Sequence, residues 1–324
     1  MLAVILAAGQ GTRLGTLTAR RSKAMMPIVG KSMIARVIDM LAVEGAEQFI
    51  VVVHPTDQEL IDELEQSPRA GRIRLAYQEE RLGTADAVES ATPQIQADGA
   101  REFLLASCDN LYPQGHVSRL ITHRRRFGLD AALTLNWASH QEAMSSAVVV
   151  MRKGLVQDII EKPRHQQIPS HGRGSRALTA PSLYVLSKRI LDCLPKVRLS
   201  SRREREFPDA LRLLIADGGT VGGQIVETRM TLTRREDLLA INRHFLKTTL
   251  DRAAIEADIP ADVSVVPPVL IEGGAQVGPK CKIGPEVYLE TDSRIHREAV
   301  IRRAVVLRGA SVEANQFIEE SVIG

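Results

Sequence analysis

Two hydrophobic patterns divide the chain. In the first, short apolar runs at Leu2 to Leu6, Phe49 to Val53, Arg72 to Tyr77, Phe103 to Ala106, Ala131 to Leu135, Ala147 to Met151 and Leu183 to Leu186 have the length and aliphatic content of buried strands. Between several of them, apolar residues fall three and four apart: Ile34, Val37, Ile38 and Leu41, then Leu60, Ile61 and Leu64. That spacing marks one helix face, so strand and helix alternate and an α/β sheet is predicted. Gln166 to Arg176 is polar with Gly, Pro and Ser and reads as a mobile loop. Arg235 to Asp258 reads as a closing helix.

The second pattern fills the last 66 residues. Ile259, Val265, Ile271, Val277, Ile283, Leu289, Ile295, Ile301 and Leu307 are six apart without a miss; the frame then slips by one, and Val312 and Ile318 continue it. A six-residue aliphatic repeat predicts a parallel β-helix, in which each hexad forms one side of a triangular coil and its aliphatic residue points inward. Gly278-Pro279 and Gly284-Pro285 suit the corners.

Composition narrows the function classes. The 324 residues are 44% apolar and 25% charged, the proportions of a folded globular protein. Net charge is +3, from 42 basic and 39 acidic side chains, so no overall field draws the chain to nucleic acid or an anionic membrane. The basic runs His123 to Arg126 and Arg202 to Glu206 lack interleaved aromatics and read as solvated helix faces. Cys108, Cys193 and Cys281 are far apart, which supports neither a disulfide framework nor a zinc site and suits a reducing cytoplasm. The first apolar run, about eight residues without a basic start, is too short for a secretion signal or a membrane span.

The candidate chemistry begins where the first strand ends. Gly9-Gln10-Gly11-Thr12-Arg13-Leu14-Gly15 is a glycine loop whose backbone amides can approach a phosphate. A dinucleotide fingerprint fails because position 14 is Leu, and a P-loop ending at Gly30-Lys31-Ser32 fails because its first glycine falls on Met25. Arg13 and Lys23 lie near the same turn; either could be a solvated cation, and together they would add two charges to a phosphate site.

These residues resemble a family. The segment from Leu6 through Ile34 is similar to the signature of sugar-1-phosphate nucleotidylyltransferases, with Gly9, Gly11, Thr12, Arg13 and a lysine, Lys23, four residues before Pro27. Three further blocks follow in order: Gln78 to Ala85, Leu104 to Asn110 and Ile160 to Pro163. The resemblance implies a Rossmann-like mixed sheet with helices on both faces over residues 1–236, a helical connector over 237–258, and a short left-handed parallel β-helix over 259–324. It implies nucleotide binding by Leu6, Ala7, Gly9, Gly11, Thr12, Gln78, Gly83 and Thr84, with Gln78 at the base. Arg13 and Lys23 would hold the triphosphate of UTP or dTTP, Asp109 a Mg²⁺ ion, Glu161 the sugar and Lys162 the attacking sugar 1-phosphate, with pyrophosphate as the leaving group. A homo-oligomer formed through the β-helix is a further implication.

The chain also departs from the family. The usual second metal ligand falls on Thr231, a poor Mg²⁺ ligand, and positions near the sugar are occupied by Ala147, Ala180 and Ser182, with Cys108 in place of a glycine before Asp109. A catalytically weak paralogue that binds nucleotide as a regulatory or structural subunit therefore stands beside the active enzyme. The tail carries only His296 as a candidate base over about three and a half coils, too little for a second, acyl-transferring site.

Overall fold

The computed structural model describes residues 1–19, 21–168, 176–250 and 252–324. Two compact units divide them: Met1–Gly9 with Val37–Arg229, and Gln10–Arg36 with Met230–Gly324.

The first unit is built on a ten-stranded sheet. Its strands are β1 (Leu2–Leu6), β2 (Gln48–Val53), β3 (Ile73–Tyr77), β4 (Glu102–Ser107), β5 (Ala131–Ser139), β6 (Ala147–Arg152), β7 (Leu155–Glu161), β8 (Arg176–Thr179), β9 (Leu183–Ser187) and β10 (Val221–Ile225). The order is β7-β6-β8-β5-β9-β4-β1-β2-β3, with β10 pairing parallel to β5. β4, β1, β2 and β3 run parallel, and β9 enters antiparallel between β4 and β5. Parallel neighbours need crossovers, which helices α1 (Met33–Val43), α2 (Gln58–Glu65) and α3 (Thr84–Ser90) help to supply. α1 buries Ile34, Val37, Ile38 and Leu41, and α2 buries Leu60, Ile61 and Leu64, the faces expected from their spacing.

The apolar runs found β1 to β6 and β9 but not β7, β8 or β10. β7 alternates exposed and buried positions, and β10 contains Gly222 and Gly223, so neither has an aliphatic run. A Cβ on Gly223 would stand 2.5 Å from Leu135, which explains the glycine. The middle of the expected mobile loop, residues 169–175, lies outside the described residues; its flanks carry structure, a 3₁₀ turn at His165–Gln167 and β8 from Arg176.

In the second unit, parallel strands stack into sheets of five, four and three strands, a β-helix whose interior holds Ile271, Val277, Ile283, Leu289, Ile295 and Ile301. Two expectations change here. Helix α4 (Arg235–Thr249) ends nine residues short of Asp258, and Ala254–Ile255 already pair with Leu270–Ile271 as the first rung. The frame slips earlier than expected: Ile283 pairs with Ile301, but Leu289 pairs with Val306, so Val306 takes the interior position and Leu307 lies outside that core. The turn that drops a residue is Arg303, at φ 45°.

From Gly274 onward each corner places one residue in the left-handed region. Gly274, Lys280, Glu286, Asp292 and Glu298 occupy it six residues apart, and Arg303, Gly309, Asn315 and Glu320 continue through the slipped frame. Non-glycine residues are strained there, a cost the stacked interior offsets at roughly 1.5–3 kcal/mol for each fully buried aliphatic side chain. At Gly284 a side chain is excluded outright, since its Cβ would lie 1.9 Å from the Val266 carbonyl oxygen. Gly284→Ala should therefore lower the thermal midpoint of unfolding well below that of Gly218→Ala, whose positive-φ glycine faces open space. Equal midpoints would contradict the steric account of the corner.

Candidate active site

The parallel strands bring several sequence-predicted residues to one edge of the sheet. Beyond β1, the Ala7 amide donates to the Val52 carbonyl at 2.8 Å and the Leu6 carbonyl accepts from the Cys108 amide at 3.1 Å. Ala7 and Ala8 are buried, Gly9 is exposed, and Arg81 Nε holds the Ala8 carbonyl at 2.8 Å. A Cβ on Gly9 would meet no atom of the chain within 4 Å, so packing does not demand that glycine. This edge, the carboxyl ends of parallel strands, is where open α/β sheets bind ligands.

Asp109 follows β4. Its Oδ1 accepts from Ser107 Oγ and from Asn110 Nδ2, both at 2.6 Å. Asn110 is buried, and its Oδ1 accepts from Arg229 Nη1 at 2.6 Å. The carboxylate is thus held in one orientation by neighbours that are themselves fixed. Nearby, the Tyr112 hydroxyl is buried without a hydrogen-bond partner, and burial raises its pKa above the ordinary phenol range.

Gln78 follows β3 and is 5% exposed. Its Nε2 donates to the Gly83 carbonyl at 3.0 Å and to Asp86 Oδ2 at 2.8 Å, so the amide is oriented from within the chain. Gly83, at φ 113°, admits no Cβ because the Arg205 carbonyl oxygen would be 2.5 Å away. The Thr84 hydroxyl accepts from the Phe207 amide at 2.9 Å. Gly83 and Thr84 therefore seat the segment 204–207 as well as opening α3.

Counting the register across β9, β5, β8 and β6 carries Glu161 and Ala147 to the level of Leu6 and Ser107. Ala180 donates to the Ala147 carbonyl at 2.9 Å, and the Ser182 carbonyl accepts from Ser107 at 2.9 Å, so the substituted positions line the same edge. Lys162 turns the chain at φ 45°. Its Nζ lies 3.6 Å from Glu161, 3.3 Å from Glu204 and 3.3 Å from Glu206, and Arg202 reaches Glu206 at 3.0 Å. Three carboxylates thus surround a half-buried ammonium. Burial lowers the pKa of Lys162, but Glu206, Glu161 and Glu204 outweigh it and raise the value. Glu161, 14% exposed, is pushed up to about 7, mainly by burial and then by the Glu206 charge.

Segment 202–206 is a correction to the sequence reading. It is not a solvated helix face but a loop packed into this site, because its side chains alternate: Arg202, Glu204 and Glu206 turn to Lys162, while Arg205 turns to Asp86 and Glu89. The period of two in that charge pattern was the available signal. Arg229 had no such signal, since only the fold sets it against Asn110.

Gly11, Thr12, Arg13 and Lys23 belong to the second unit. Gly11, at φ 67°, precedes a 3₁₀ segment, Thr12–Thr18, and a Cβ there would stand 2.8 Å from the Lys23 Cβ. The glycine therefore lets the lysine stem cross the loop. Thr12 and Arg13 are exposed. Thr231, where the resemblance leads one to expect a metal ligand, has its hydroxyl 3.4 Å from that of Thr233. Among the described residues no group of three or more His, Cys, Asp or Glu side chains could hold a metal by itself, and no helix is long and apolar enough to cross a membrane.

The Nucleotidyl transferase family profile matches residues 2–228, most of the chain. The chain belongs to this family. Residues 265–324 match the GMPPB C-terminal domain. The UTP–glucose-1-phosphate uridylyltransferase AglF of Haloferax volcanii is 31% identical over 68% of this chain and 86% of its own. The bifunctional protein GlmU of Methanococcus maripaludis strain C7 is 27% identical over 86% of this chain, which spans 62% of that relative's length. A crystal structure of UDP-glucose pyrophosphorylase with UDP-glucose shares the fold at TM-score 0.65 and 19% identity, over 76% of this chain and 98% of that one. Members of this family generally use a divalent metal ion.

The raised Glu161 pKa has a definite sign. The folded protein binds a proton that the unfolded chain releases between pH 4.5, the ordinary value, and about 7, so this carboxyl makes stability fall as pH rises through that window. Glu161→Gln should flatten that part of the profile and stabilise the protein most above pH 7, as read by urea unfolding at a series of pH values. An unchanged slope would contradict the assignment.

Proposed function

We propose that the protein joins a sugar 1-phosphate to UTP or dTTP and releases pyrophosphate. The observation that carries the reading is a carboxylate, Asp109, fixed by Ser107 and by Asn110, which Arg229 holds in turn, at the same sheet edge as Glu161 and the carboxylate-ringed Lys162. Family membership and the names of the AglF and GlmU relatives support it.

The reaction needs two polyanions aligned and neutralised rather than a nucleophilic side chain. In this reading Arg13, Lys23 and the amides around Gly9 and Gly11 hold the triphosphate, Gln78 with Gly83 and Thr84 meets the base, Glu161 accepts from a sugar hydroxyl, and Lys162 exchanges its carboxylate partners for the sugar phosphate. Asp109 fits Mg²⁺ as a hard oxygen donor of the kind that shares the ion with substrate phosphates and water. The ion would supply charge neutralisation at the α-phosphate. Three buried cysteines that form no disulfide among the described residues suit a cytoplasmic setting, and the β-helix is the surface through which copies of the chain would associate.

A second reading, a nucleotide-binding regulatory subunit without turnover, draws on Thr231, Ala147, Ala180 and Ser182. A panel of triphosphates against hexose and aminohexose 1-phosphates, scored by Mg²⁺-dependent pyrophosphate release, separates the two. Turnover with UTP or dTTP is expected, falling about 100-fold or more in Asp109→Ala and Lys23→Ala. Calorimetric UTP binding without turnover on any sugar phosphate would favour the second reading.

A further inference from the structure

The segment that carries Arg13 and Lys23 does not group with the sheet that precedes it. Residues 10–36 form one compact unit with α4 and the β-helix, and the contacts are specific. Arg21 Nη1 meets Glu290 Oε1 at 2.6 Å, with the two side chains only 8% and 9% exposed. Glu290 follows the rung Val287–Leu289, and its other oxygen accepts from the Arg308 amide at 2.7 Å, so this carboxylate is anchored in the β-helix before it meets Arg21. Arg235 donates to Thr16 Oγ1 at 3.1 Å and to the Val322 carbonyl at 2.8 Å, which joins the 3₁₀ segment to the last rung. A Cβ on Gly324 would lie 3.3 Å from Leu17, placing Leu17 against the end of the tail. Fully buried Asn242 on α4 accepts from the Val29 amide at 2.9 Å and donates to the Pro27 carbonyl at 3.0 Å. Arg36 lies over the Phe245 ring at 4.3 Å.

Three separate elements of the second unit, α4, the turn after the Val287–Leu289 rung and the end of the tail, therefore hold one 27-residue segment, whose own helical content among the described residues of 10–32 is two short 3₁₀ pieces. Such a segment has little means of fixing its shape alone. Gly11 and Lys23 touch across the loop, so the approach of the two ends depends on what holds the residues between and beside them, Thr16, Leu17 and Arg21.

We propose that the β-helix is the frame that fixes the phosphate loop, with Arg21, Glu290 and Arg235 as positioning residues for Arg13 and Lys23. This rests on the reading that Arg13 and Lys23 hold the triphosphate. A buried ion pair suits the task because loss of either partner strands the other charge, so the segment has one favoured seat.

The test combines hydrogen exchange of the full chain with calorimetry of UTP and dTTP in the presence of Mg²⁺. In Glu290→Gln and in Arg235→Gln, exchange in peptides from residues 10–36 should rise at least 10-fold while peptides from the ten-stranded sheet keep their protection. Affinity for whichever nucleotide the wild type binds should fall about 10-fold, and Arg21→Lys, which keeps the charge, should retain most of it. Unchanged exchange in residues 10–36 for both glutamine variants would overturn the frame. So would affinity within twofold of wild type in a variant whose loop has lost protection. If Glu290→Gln loses protection throughout, Arg235→Gln decides. A wild type that binds neither nucleotide would refute the triphosphate role and leave the exchange result to judge the anchoring.

Discussion

The common direction of β4, β1, β2 and β3 is the constraint from which the first unit's site follows. Parallel pairing sends every carboxyl end to one edge, so Leu6, Ser107 and the residues after Tyr77 arrive together however far apart they lie in the chain. The antiparallel strands β9, β5, β8, β6 and β7 then carry the same level across the sheet to Glu161. Asp109 and Lys162 share an edge because the ladder sets it, not because any contact between them does.

Electrostatics at that edge is arranged for exchange of partners. Lys162 is surrounded by Glu161, Glu204 and Glu206, and Arg202 offsets part of their charge. An ammonium held by carboxylates is already desolvated in part, so trading one anion for another costs less than stripping water from a free lysine. Segment 202–206 serves two neighbours at once, its even-numbered side chains facing Lys162 and Arg205 facing α3. Asp109 has the opposite character: Ser107 and Asn110, itself held by Arg229, leave its carboxylate little rotational freedom.

The β-helix solves a different physical problem. Its coils bury an aliphatic core without helices or long strands, and from Gly274 onward each corner places one residue in the left-handed region. Such a stack is stiff because every rung pairs with the next through parallel ladders, which equips it to hold a segment with little regular structure of its own.

Period and motif were enough to read the alternating α/β part, the six-residue repeat and the four motif blocks, because each is a local pattern: a face, a hexad or a loop of fixed spacing. The first strands and helices matched their apolar runs closely, and β7, β8 and β10 were invisible since their burial comes from neighbours rather than from their own composition. The register of the β-helix beyond Ile301, the end of α4 at Thr249, and the grouping of residues 10–36 with the tail were decided only by tertiary structure. So were the meeting of Arg229 with Asn110 and the turning of Glu204 and Glu206 to Lys162. Local pattern determines which residues form an element, whereas which charges meet depends on contacts between positions far apart in the chain, and those exist only once the chain has folded.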